Sequence, residues 1–137
     1  PVPVMALMEL VSTVLTSDDT KARARAFAEE QLGKSVIDAK DRAGFIVNML
    51  LVPYLTEAMK MYEAGFASAE DIDAGMRLGA NHPMGPLELS DFIGLDTMKF
   101  VADVVFEEFK QPQYAPPPLL VRMVEAGLLG RKTGRGF

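Results

Sequence analysis

The 137-residue chain contains no cysteine and no tryptophan, and only one histidine. Without thiols it builds no disulfide scaffold, no thiolate metal site and no cysteine nucleophile. A reducing cytoplasm suits such a chain. A strongly basic face is also missing: 19 acidic residues face 14 basic ones, a net charge of −5. Nucleic acid is therefore not an expected partner. Long apolar runs are absent too. Residues 45–55 form the longest, and Asn48 and Pro53 interrupt it. That is short of the ~20 residues a spanning helix needs, so no membrane partner is expected. No basic segment opens the chain as a signal peptide would.

What is present reads in two textures. Hydrophobic residues make up 49% of the chain and charged residues 24%, the balance of a globular protein. Residues 7–15 are apolar and β-branched enough for a strand. Ser17 is suited to cap a helix, with Asp18 and Asp19 in its first turn. That helix is expected to reach about Leu32, closed by Gly33, with a short strand over 36–39. Residues 1–41 thus read strand, helix, strand, the end of a larger α/β sheet, since so small a unit cannot cover both sheet faces.

From Asp41 onward the pattern is helical. Helices are expected from Asp41 to about Ala64, kinked at Pro53, and from Ser68 to about Leu78. Others follow from Pro86 to Ile93, from an Asp96 cap to Phe109, and from Leu119 to Ala126. The tail, residues 130–137, reads as basic and flexible. Together these residues predict a mainly α protein: a helical bundle over 42–137 preceded by a strand–helix–strand remnant over 1–41.

Two polar residues sit oddly in apolar surroundings. Asn48 has Gly44, Phe45, Leu51 and Val52 as its helical neighbours, and none offers a side-chain partner. A buried unpaired amide costs roughly 1–3 kcal/mol. Either it serves backbone freed at the Pro53 kink, where the Met49 carbonyl lacks its donor, or it meets something beyond this face. Glu9 lies between Met8 and Leu10, on the pleat face of Leu7 and Val11, which favours burial against a partner. His82 stands in a Pro/Gly turn and reads as a loop residue or local cap. Glu70, Asp71 and Asp73 are explained by a helix start, and no metal site is expected. Arg131, Lys132 and Arg135 suit a phosphate or simple solvation.

The segments Pro1-Val-Pro-Val-Met-Ala-Leu-Met-Glu9, Asp41-Arg-Ala-Gly-Phe-Ile-Val-Asn48, Ala69-Glu-Asp-Ile-Asp-Ala74, His82-Pro-Met-Gly-Pro-Leu-Glu-Leu-Ser-Asp91 and Gly130-Arg-Lys-Thr-Gly-Arg-Gly-Phe137 occur in this order. In that order they resemble the C-terminal portion of the 3-hydroxyacyl-CoA dehydrogenases, with the 3-hydroxybutyryl-CoA enzymes most similar. The resemblance implies an enzyme that oxidises the 3-hydroxyl of an acyl-CoA with NAD, in fatty-acid or butanoate metabolism. It implies a Rossmann domain ending near residue 41 and a helical substrate-side domain over 42–137 that forms a homodimer. Glu9 falls on the glutamate that orients a histidine base, Asn48 on an amide near the reacting carbonyl, and Lys132 on a basic residue approaching the cofactor. The histidine is expected four residues before Pro1, and the dinucleotide loop lies outside the sequence, so the chain alone is expected to be inactive. Met49 stands where the family usually has arginine. The alternative is a non-catalytic helical dimerisation or structural module. A sugar-acid dehydrogenase or a lens-crystallin-like relative is a weaker variant. Acyl chain length, NAD against NADP and fusion to other activities are not legible in these residues.

Overall fold

The computed structural model describes residues 3–137. Its contacts divide into two compact units, one ending at Val47 and the other beginning at Asn48.

In the first unit, β1 (Leu7–Ser12) pairs in parallel with β2 (Ser35–Lys40), Leu7 opposite Ser35 and Ser12 opposite Lys40. A parallel pair needs a crossover, and α1 (Asp18–Ala26) supplies it. Ser17 caps α1 as its sequence suggests: its hydroxyl accepts from the Thr20 N–H at 3.1 Å. The helix then widens into a π-helical turn over Phe27–Gln31 rather than running evenly to Leu32. β1 also stops earlier than the apolar run, because Thr13 and Thr16 close a turn on each other through side-chain hydrogen bonds. Asp38 on β2 ties the crossover down, with Lys21 at 3.0 Å and Arg25 at 2.9 Å. The Lys21 contact first, and the Arg25 contact after it, lower the pKa of Asp38.

Residues 41–46 are a turn, not the first turns of a helix. Gly44 at φ 81° and Phe45 at φ 47° both take left-handed backbone, which no α-helix accommodates. The aspartate-capped start expected at Asp41 is thereby corrected: α2 runs Val47–Glu63.

The second unit is a helical bundle of α2, α3 (Ala69–Gly79), α4 (Pro86–Ile93), α5 (Leu95–Phe109) and α6 (Pro118–Glu125). Val52, Leu55 and Met59 of α2 meet Leu87, Leu95, Met98, Ala102 and Leu120 in its core. Pro53 is tolerated inside α2. The fully buried Thr56 hydroxyl donates to the Val52 carbonyl at 2.9 Å, with the carbonyls of Pro53 and Gln113 at 3.3 and 3.4 Å. Ser68 caps α3 by accepting from the Asp71 N–H, and its own hydroxyl donates to the Asp71 carboxylate. Gly94, not Asp96, occupies the cap position of α5.

The tail departs most from the sequence reading. It is held, not flexible: Gly130 and Arg135 form an antiparallel bridge around a 3-10 turn at Arg131–Thr133. The Phe137 N–H donates to the Asp91 carboxylate at 3.0 Å, and its ring meets Tyr62 edge-on. Arg131 reaches Glu88 at 3.1 Å and stacks over Phe92. A basic composition suggested solvation; Glu88, Asp91 and Asp96 supply the partners that composition alone does not reveal.

Candidate functional site

In the first unit Glu9 is half-buried on β1, and its partners are backbone groups rather than the charged side chain its pattern suggested. One carboxylate oxygen, Oε1, accepts from the Ile46 N–H at 2.8 Å and the Val47 N–H at 3.1 Å. Helices begin with unpaired N–H groups and a partial positive charge. Glu9 therefore serves as the anionic cap of α2, from 37 residues away in sequence. Its other oxygen, Oε2, accepts no hydrogen bond among the described residues. A carboxylate fixed through one oxygen is oriented, with the second left to receive a proton donor.

Asn48, in the second unit, is half-buried in the first turn of α2. Its amide makes no hydrogen bond among the described residues, so it does not serve the backbone around Pro53. The Thr56 hydroxyl occupies that region instead. The amide thus keeps both N–H donors and its carbonyl for another group.

Lys132 lies on the 3-10 turn of the tail. Its ammonium pairs with Oδ1 of Asp96, an oxygen otherwise enclosed by protein. That contact, above all other influences, lowers the Asp96 pKa. Sequence reasoning placed Asp96 as a helix cap and missed this pairing, because nothing local joins residues 36 apart. The dinucleotide fits these residues poorly. The β1–α1 connection carries no glycine to admit a pyrophosphate, and Lys132 is already matched by a carboxylate. His82 is exposed, with Nδ1 3.1 Å from the Tyr54 hydroxyl. Among the described residues no cluster of histidines and carboxylates is arranged to hold a metal ion, and no helix is long and apolar enough to cross a membrane.

One structural residue escaped the sequence reading. Asp73 is buried on α3, and its two carboxylate oxygens accept from the Leu87 and Glu88 N–H groups at 2.8 and 2.9 Å. It caps α4 across the turn. A Cβ built on Gly85 would fall inside the Asp73 side chain, so only glycine admits this approach. The pairing of an acid with a glycine 12 positions later, just before a Pro, was the available signal.

Comparison with known proteins agrees with this architecture. Residues 44–137 match the family model described as "3-hydroxyacyl-CoA dehydrogenase, C-terminal domain". The whole chain is 60% identical over 137 residues to a 3-hydroxybutyryl-CoA dehydrogenase of Mycobacterium tuberculosis, covering 48% of that protein. It is 50% identical over 138 residues to the human mitochondrial hydroxyacyl-coenzyme A dehydrogenase, covering 44% of it. The crystal structure of (S)-3-hydroxybutyryl-CoA dehydrogenase from Ralstonia eutropha superposes with a TM-score of 0.93 at 53% identity, over 98% of this chain and 47% of that one. The chain spans about half the length of the curated relatives it matches. The helical residues match the family model in sequence, and the whole chain follows a solved relative in fold: the chain belongs to the 3-hydroxyacyl-CoA dehydrogenase family, whose C-terminal domain it carries.

Proposed function

We propose that these residues act as the C-terminal portion of an NAD-dependent 3-hydroxyacyl-CoA dehydrogenase of the 3-hydroxybutyryl-CoA type, working in the cytoplasm in fatty-acid or butanoate metabolism. The observation that carries this reading is the state of Glu9: a carboxylate anchored through one oxygen, on the segment that resembles the family's stretch just after its histidine base. NAD would supply the hydride acceptor, and none of the residues assigned here holds it. Glu9 orients and charges the imidazole that takes the substrate hydroxyl proton. Asn48 donates its free amide to the reacting carbonyl oxygen, where negative charge develops in the reverse reduction. Lys132, which the resemblance sets near the cofactor, is held on Asp96 and takes no part in this reading.

A homodimer through the helical domain accompanies this reading. Phe100 at 68% and Val104 at 44% exposure lie one turn apart on α5, and Phe92 on α4 is 55% exposed. Exposed apolar neighbours of this size favour a protein partner. Phe100→Asp is expected to shift the sedimenting species to monomer.

The activity is tested by assaying acetoacetyl-CoA reduction with NADH, once with the 137-residue chain and once with the same residues preceded by the dinucleotide-binding half. Turnover only in the longer protein is expected. Turnover by the 137-residue chain would overturn the division of labour proposed here. A longer protein that stays inactive favours the non-catalytic dimerisation module.

A further inference from the structure

Two consecutive residues turn the chain left-handed just before α2: Gly44 at φ 81° and Phe45 at φ 47°. Glycine does so freely, but a bulky side chain rarely takes this backbone. Such a conformation persists only where its surroundings hold it, and it collects at functional sites. Burial does not account for it here, because Phe45 is 41% exposed. Hydrogen bonds on either side do. Upstream, the Phe45 N–H donates to the Arg42 carbonyl at 3.0 Å and closes the turn. Downstream, the Ile46 and Val47 N–H groups converge on Oε1 of Glu9 at 2.8 and 3.1 Å. Successive N–H groups beside a left-handed residue form a concavity that suits an anion. The planar peptide between residues 45 and 46 carries the Ile46 N–H, so the Phe45 backbone decides where that donor points. With right-handed backbone at Phe45 that peptide would turn away, and Glu9 would keep one donor instead of two. A carboxylate held by a single N–H swings about that bond.

We propose that Phe45 is a positioning residue: its left-handed backbone aims the Ile46 and Val47 amides at one oxygen of Glu9 and so fixes the carboxylate that orients the base. This rests on the role given to Glu9 above and deepens it. The backbone at position 45 does the positioning, not the ring. Replacements there therefore rank by their tolerance of left-handed backbone and not by their apolarity. Asn takes that conformation more readily than other residues with side chains, whereas β-branched Val resists it.

The test compares Phe45→Asn, Phe45→Val and Glu9→Gln. In the 137-residue chain, amide hydrogen exchange reads the geometry without turnover. The Ile46 and Val47 amides should stay protected in Phe45→Asn and lose protection in Phe45→Val, while the β1–β2 ladder stays protected in both. In the longer enzyme, kcat for 3-hydroxybutyryl-CoA oxidation by NAD is followed against pH. Phe45→Asn should keep wild-type turnover, and Phe45→Val should lower kcat by roughly ten- to a hundredfold, the scale on which small misplacements act. A nearby carboxylate favours the charged imidazolium, so a displaced Glu9 frees the base at lower pH. The acid limb of the profile should therefore move to lower pH in Phe45→Val and in Glu9→Gln alike. A loss of folded enzyme alone lowers kcat without moving that limb. The proposal falls if Phe45→Asn, with its ladder intact, loses protection or turnover, which would give the role to the ring. It falls also if folded Phe45→Val keeps the wild-type protection or the wild-type limb. A limb moved by Glu9→Gln but not by Phe45→Val removes this inference alone; a limb unmoved by Glu9→Gln removes the role of Glu9 and this inference with it.

Discussion

At the scale of single residues, Glu9 and Asp73 show one carboxylate chemistry put to two uses. Both accept two backbone N–H groups at a helix start, Glu9 through one oxygen and Asp73 through both. Loss of such a cap costs about 1 kcal/mol, up to ~2 when buried. Asp73→Ala should lower unfolding free energy by about 2 kcal/mol in urea titration. Glu9→Gln keeps an acceptor for Ile46 and Val47 but loses the charge. In the longer enzyme it should retain most stability yet lose activity, whereas Glu9→Ala should lose both, by about 1 kcal/mol in stability. Equal activity in Glu9→Gln and wild type would confine Glu9 to capping. The sequence showed that Glu9 and Asn48 were misplaced for a simple core. It did not show Glu9's partners, because its pleat pattern pointed to a charged side chain while the actual donors are main-chain groups.

At the scale of elements, helix existence was legible and helix starts were less so. Ser17, Ser68 and Pro86 announce α1, α3 and α4 through local chemistry, and the structure places the starts there. The start of α2 was misread because Asp41 has the composition of a cap, while Gly44 and Phe45 turn left-handed before the helix can form. A left-handed phenylalanine is a tertiary outcome that no propensity anticipates. Just past Pro53, the Thr56 hydroxyl donates back to the Val52 carbonyl one turn earlier in α2. Thr56→Val keeps the shape and removes a side-chain donor to the Val52 carbonyl. We expect a loss of about 1 kcal/mol by thermal or urea unfolding. An unchanged midpoint would mean that this buried hydroxyl contributes nothing net to the bundle.

At the scale of the molecule, the docked tail gives stability a pH dependence. Burial, more than any neighbour, raises the pKa of Asp91. Asp73 adds to the rise, while the Phe137 N–H and Arg131 oppose it. A carboxyl whose folded pKa lies above its unfolded one binds protons more readily when native. Its contribution therefore falls as pH rises from the ordinary carboxylate value through the raised one. Asp38 and Asp96 act oppositely: their lowered pKa values support the fold at neutral pH and are lost on acidification below the ordinary value. Asp91→Asn, which still accepts from Phe137, should gain stability relative to wild type at pH 7 and lose that advantage toward pH 4. An advantage independent of pH would contradict the assignment. The tail's order was not legible, since its acidic partners are dispersed over α4 and α5.

The central claim is that Asn48 keeps its amide free for a reacting carbonyl. The most direct measurement is kcat/KM for acetoacetyl-CoA reduction by the longer enzyme carrying Asn48→Ala, beside its circular dichroism. Loss of one such donor is expected to lower kcat/KM by roughly a hundredfold or more with the helical spectrum intact. Wild-type turnover in a folded Asn48→Ala protein would contradict the account.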